Sequence, residues 1–209
     1  MTLQYGNFGP ALARYGATLQ SRSSDQAALV IEYARFLDRD PQAFERSNAF
    51  GHFTGSALVV DPRLGRVLLT HHAKMEKWLQ LGGHCDGIRD PFFVAWKEAY
   101  EEGGLKLITP ASSDIFDLSL HTTPNFKDVP EHYHYDVRYL FYADSCEAIT
   151  KSDESIDLAW VELGQVRRYT QSKSMLRLEM KAIHHLEWTH GYERPSGYVE
   201  PSSAGAEVA

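Results

Sequence analysis

Three glutamates, Glu98, Glu101 and Glu102, stand at i, i+3 and i+4 in the run from Pro91 to Gly104. If that run is a helix, their carboxylates share one patch. Ionised carboxylates only accept hydrogen bonds, and crowded together in solvent they repel by a few tenths of a kcal/mol per pair. In a cleft the repulsion grows, and a divalent cation becomes the natural partner. Mg²⁺ takes one or two carboxylates and leaves its other positions to water and phosphate oxygens. Taken alone, such an acidic run is more often a solvated helix face than a site.

The flanking residues supply the element the patch needs. Asp90-Pro91 is a helix start, because Asp can cap free N–H groups and Pro at the first helical position loses no hydrogen bond. Phe92, Ala95, Trp96, Ala99 and Gly103 then recur at three- and four-residue spacing, an apolar stripe with the carboxylates projecting from the other side. Gly103-Gly104 ends the helix with a residue suited to the left-handed position. Gly82-Gly83, just upstream, lets backbone come close to a ligand or metal.

Taken whole, Gly83–Leu105 resembles the Nudix box, Gly-x5-Glu-x7-Arg-Glu-U-x-Glu-Glu-x-Gly-U, where U is bulky and apolar. Gly83, Glu98, Glu101, Glu102, Gly104 and Leu105 match, and Ala99 stands at a U position. Two positions depart: Arg89 replaces the early Glu, and Lys97 replaces the box Arg. The resemblance implies a mixed α+β fold, the Nudix α/β/α sandwich with a mixed sheet, over about residues 51–190. Residues 1–50 would form a helical extension, and 191–209 a disordered polar tail. It further implies Mg²⁺ or Mn²⁺ held by Glu98 and Glu102, with Glu101 as a further ligand or metal-water contact and the Gly83 carbonyl in support. Glu102 and Glu101 would serve catalysis, and Glu154, in the acidic loop before a later strand, is the best-placed additional ligand or base. The activity implied is metal-dependent hydrolysis of a P–O–P bond in a nucleoside diphosphate linked to another group, or a related small diphosphate. Two alternatives share the fold: an isopentenyl-diphosphate isomerase-like enzyme and a non-catalytic ligand-binding module.

The early Glu and the box Arg of related proteins can pair to brace the loop, which two cations cannot do. Asp86–Lys97 is the expected substitute, leaving Arg89 to face solvent or meet a substrate phosphate. Ten histidines are many for 209 residues. In the alternating run His132–Tyr142, His132 and His134 share a face with Asp136 and Arg138, opposite Tyr133, Tyr135, Val137, Tyr139 and Phe141. That face could line a substrate pocket with His84, His134 and Arg138, the last on a phosphate. His84 and His134 could also hold a second metal ion, since imidazole suits transition metals, or the face could simply be hydrogen-bonded polar sheet. His71-His72 and His184-His185 are expected at the surface or in packing. Cys85 has no base partner that would make it a nucleophile.

Composition bounds the remainder. The chain carries 21 basic and 28 acidic residues, a formal net charge of −7, with no basic run to favour nucleic acid. Cys85 and Cys146 make no disulfide framework, and no apolar stretch reaches membrane-spanning length, so a cytoplasmic protein is expected. Strands are expected at Phe53–Asp61 and Arg66–His71, joined by a turn at Asp61-Pro62, and again at Ile115–His121, at 132–143 and through Leu158–Val161. Helices are expected from Ser24 to about Asp38 and from Thr170 to Trp188, with some helix over Ala11–Leu19. The apolar face of the N-terminal helices would pack on the core or on a second copy, as a homodimer.

Overall fold

The computed structural model describes residues 8–19, 24–125 and 129–201. Two helices, α1 (Phe8–Thr18) and α2 (Ser24–Arg39), lead into β1 (Gly51–Asp61). The strand is closed by a turn in which Asp61 Oδ1 accepts from the backbone N–H groups of Arg63 and Leu64 at 2.9 and 3.2 Å. The chain returns as β2 (Arg66–His72), then β3 (Lys77–Leu79), β4 (Leu81–His84) and α3 (Pro91–Gly103). β5 (Thr109–Pro110), β6 (Asp117–Thr123), β7 (His132–Tyr142), β8 (Ser155–Glu162) and α4 (Lys173–His190) complete it.

The strands form one mixed sheet centred on β1 and β7, which run parallel from Gly51↔Tyr133 to Val60↔Tyr142. The other edge of β1 is shared. β4 pairs with its first half, Thr54↔His84 to Ala57↔Leu81, and β2 with its end, Val59↔Leu68 to Asp61↔Arg66. This sharing splays the sheet and brings β4, with the glycines before α3, onto the middle of β1. β6 pairs with β7, and β8 with β2.

Side chains alternate across the sheet. Phe53, Ala57, Val59, Tyr135, Val137, Tyr139 and Phe141 join the core beneath α3. Leu58, Val60, Val67, Leu69 and Leu140 meet Met175, Leu178, Ala182, Ile183 and Leu186 of α4 on the other face. Helices on both faces make the α/β/α arrangement expected from the sequence. α1 and α2 belong to the first core: Phe36 stacks on Tyr135 with ring centres 4.1 Å apart, and Phe8 meets Phe53 edge-on at 5.0 Å. Their apolar face is therefore used within the chain, and burying a side chain such as Phe36 is worth roughly 1.5–3 kcal/mol. Gln26 fastens α2 to β6, its amide donating to the Leu118 carbonyl and accepting from the Leu118 N–H.

Three expectations are corrected. The third strand starts at Asp117 rather than Ile115. The last helix starts at Lys173 rather than Thr170, because Ser172 caps it by accepting from the Met175 N–H. The described part of the tail, residues 191–201, is tied down: Arg167 donates to the Val199 carbonyl at 2.8 Å and His184 pairs with Glu200 at 2.9 Å. No helix among the described residues is long and apolar enough to cross a membrane.

Candidate functional site

α3 starts and stops where its sequence says it should. Asp90 accepts from the Phe93 N–H at 3.3 Å, Pro91 occupies the first turn, and Gly104 closes the helix in the left-handed conformation at φ 61°. Its position is set by Gly55 on β1: a Cβ there would come within 2.4 Å of the Pro91 carbonyl oxygen, so only glycine lets the helix lie this close. The helix thus rests on β1 and β4, and the carboxylates of its inner turns point at the backbone of the two glycines.

Glu102 is not on an outward face, contrary to the expectation that all three glutamates project away from the apolar stripe. It lies on the buried side with Ala95 and Ala99, 5% exposed, and accepts from the Gly82 N–H at 2.9 Å. Glu98 is partly buried and faces Gly83 so closely that a Cβ there would sit 2.7–2.9 Å from its carboxylate atoms. Glu101 is exposed. Burial pushes the Glu102 carboxyl up to about 7, helped by repulsion from Glu98, Glu154 and Glu101 and opposed by the Gly82 hydrogen bond. Burial also raises Glu98, against the pull of Lys97. Glu154, exposed on the loop before β8, is thus within electrostatic reach of both carboxylates.

This donor set suits a hard divalent cation. Two carboxylates, one buried and one partly buried, unfavourable when both are charged, converge on a backbone segment with no side chain between them. Glu98, Glu102 and the Gly83 carbonyl are the groups that fit such an ion, with Glu101 at the rim.

The expected brace is not formed as an Asp86–Lys97 pair. Asp86 is taken by Arg46, whose Nε and Nη2 both donate to its carboxylate, and this hydrogen bonding holds the Asp86 carboxyl below its ordinary value. Lys97 turns back along its own helix to Glu98 at 3.1 Å and Glu101 at 2.8 Å. Arg46 lies between α2 and β1, where no sequence signal marked it. Arg89 is exposed and lies 5.0 Å over the Phe44 ring.

On the face of β1 and β7 that also carries Leu58 and Leu140, the surface turns polar towards the strand starts. His134 lies there as expected with His132, Asp136 and Arg138. Arg138, however, is not free for a phosphate. It is 4% exposed, donates to Asp136 at 2.6 Å and Ser174 at 2.5 Å, and lies 3.4 Å from Asp117. Asp117 gathers Arg177 and Lys181 as well, and these cations outweigh the burial that would otherwise raise its carboxyl. This end of the polar face is a satisfied ion network between the sheet and α4.

The other end is a histidine cluster. His52, which sequence reasoning passed over, faces His134 across β1 and β7 with ring centres 4.9 Å apart. His132 lies 4.9 Å from His52, His84 lies 5.0 Å from His52 and 5.1 Å from His134, and His121 of β6 lies 5.5 Å from His134. Burial, then crowding by other imidazoles, lowers His52 to about 4 and depresses His134 further. Burial, then Arg46, lowers His84 to about 4. Cys85, by contrast, lies wholly in the apolar core, and burial holds its thiol well above the ordinary value. Buried in this way, Cys85 is not placed to act as a reactive thiolate.

His71 stacks on Trp78 at 5.1 Å, and His185 meets the Tyr142 hydroxyl at 2.7 Å, packing roles as expected.

No family model matches the sequence, and no curated protein matches it. Solved structures do. An Ap4A hydrolase of C. elegans in a binary complex aligns over 65% of this chain and 98% of its own, at 17% identity and a TM-score of 0.51. A MutT protein from Methanosarcina mazei Go1 aligns over 65% and 96% at 18% identity and a TM-score of 0.50. A Nudix hydrolase from M. smegmatis, RenU, covers 70% and 92% at 18% identity and a TM-score of 0.49. With the capped helix of Gly83–Leu105 lying across β1 and β4, the chain has the fold of the Nudix superfamily.

Proposed function

We propose that the protein hydrolyses a diphosphate bridge in a nucleoside diphosphate linked to another group, or in a related small diphosphate, with Mg²⁺ or Mn²⁺ as cofactor. The observation that carries this reading is the convergence of Glu98, partly buried, and Glu102, buried, on the bare backbone of Gly82-Gly83. The Ap4A hydrolase among the fold relatives supports the substrate class by its name. When bound, the divalent ion neutralises charge on the phosphoryl oxygens and makes a coordinated water more acidic.

The chain's own groups do the positioning. Glu102 gives up its proton and, with Glu98 and the Gly83 carbonyl, presents oxygen ligands in a fixed arrangement; Glu101 adds a negative charge at the rim. Gly82 N–H holds Glu102 in one orientation. Water adds to one phosphorus, the bridging P–O bond breaks, and two phosphate-bearing products leave. The water proton passes to a base, for which Glu154, a carboxylate in electrostatic reach of Glu98 and Glu102, is the candidate. His84 and His134 line the neighbouring polar surface, where a substrate's phosphate or base portion would lie.

The test is a panel of nucleoside diphosphate-linked compounds and dinucleoside polyphosphates, assayed with Mg²⁺ or Mn²⁺ and with chelator. Release of nucleoside monophosphate that stops on chelation is expected. Turnover that survives exhaustive metal removal, or binding across the panel without turnover, overturns the reading.

A further inference from the structure

The histidine cluster has the composition and spacing of a site for a different kind of ion. His52, His132 and His134 each offer one ring nitrogen, and these three atoms all lie within 4.8 Å of one another. A tetrahedral zinc site, with Zn–N near 2.1 Å, holds its nitrogens about 3.4 Å apart. His132 Nε2 and His134 Nε2 are already 3.2 Å apart.

Two further observations point to a ligand. His52 is 1% exposed, yet neither of its ring nitrogens has a hydrogen-bond partner. Leaving a buried polar group unsatisfied is unfavourable, a cost that a metal bond at that nitrogen would remove. His132 is oriented from behind. Its Nδ1 lies 2.8 Å from the Pro130 carbonyl oxygen, which can only accept, so Nδ1 carries the proton and Nε2 keeps the lone pair. A backbone carbonyl holding the second nitrogen is the usual support of a metal-ligating histidine. Thr123 Oγ1 lies 3.3 Å from the same Nε2 and 3.2 Å from Nδ1, at the edge of the cluster.

We propose that His52, His132 and His134 form a transition-metal site of the Zn²⁺ class, separate from the carboxylate site. His84 flanks it, and the fourth position goes to water or to a substrate oxygen. Three imidazoles and no carboxylate select zinc, cobalt or nickel over magnesium. The proposal does not depend on the hydrolase reading.

The experiment uses the full chain, stripped of metal and titrated with Zn²⁺ alone and with Co²⁺ alone. One equivalent of Zn²⁺ should bind and raise the melting temperature. Co²⁺ should give visible ligand-field bands of low coordination number. His132→Gln and His134→Gln should lose both signals, with at least about a hundredfold weaker binding, while Glu102→Gln keeps them. Loss in Glu102→Gln but not in His134→Gln would overturn the proposal by moving the ion to the carboxylates. Should the histidine variants fail to fold, X-ray absorption at the zinc edge of the wild-type protein decides: imidazole scattering supports the site, and an oxygen-only shell refutes it.

Discussion

The glutamate patch and the histidine cluster both use the four-residue strand β4, yet they are built in opposite ways. The glutamates come from one helix, beside a glycine pair on the strand that immediately precedes it, so one local strand–loop–helix unit carries nearly the whole arrangement. The histidines come from β1, β4, β6 and β7, which meet only when a parallel pairing joins residues about eighty positions apart. Their chemistry differs in the same sense. The first offers crowded carboxylate oxygens; the second offers clustered imidazole nitrogens. The comparison teaches that local spacing announces a site when its ligands share a helix, and hides it when they sit on different strands.

The comparison breaks most visibly at Glu102. Glu102→Gln keeps the shape and the Gly82 contact while removing the charge, and should lower the hydrolysis rate by about a thousandfold or more, several kcal/mol of lost charge stabilisation. A variant within a fewfold of wild type would mean that the carboxylate patch is only a surface.

Arg138 tests whether the ion network at the α4 end of the polar face is structural. Arg138→Ala leaves Asp136 and Asp117 short of a buried cation, and should cost about 3–5 kcal/mol in urea unfolding. A loss below about 1 kcal/mol would return Arg138 to the list of groups available to a ligand.

The metal-free protein should separate the two sites by pH. The folded-state value of Glu102 is raised from 4.5 to about 7, so its favourable contribution is complete below 4.5 and lost as pH rises through 7. His52 works in the other direction: its value falls from 6.5 to about 4, so its contribution is present above 6.5 and lost as pH falls towards 4. Glu102→Gln does not titrate and should gain on wild type from pH 4.5 to 7, by about 3 kcal/mol at the top of the window. A gap that stays constant with pH would show that Glu102 titrates normally. Added Mg²⁺ should narrow the gap by favouring the ionised wild-type carboxylate.

The smallest effect is expected from the exposed Arg46–Asp86 pair. Asp86→Ala should cost no more than about 1 kcal/mol, since ion pairs open to solvent contribute little. A loss well beyond that, accompanied by slower hydrolysis, would make the pair a brace for the β4–α3 loop.

The sequence by itself determined α3 from cap to cap, the alternation of β7, the antiparallel turn at Asp61 and the identity of the three box glutamates. All of these are local, set by helix capping, by side-chain periodicity of two or 3.6, and by turn chemistry within a few residues. The tertiary structure alone decided which groups meet across the chain. It withdrew Glu102 from water, paired Asp86 with Arg46 instead of Lys97, and closed Arg138 into a network with Asp117 and Ser174. It also brought His52, which stands alone in its stretch of sequence, against His132 and His134. The physical reason is that burial and ion pairing depend on which strands lie side by side, and the β1–β7 pairing joins segments whose separation in sequence carries no periodic signal.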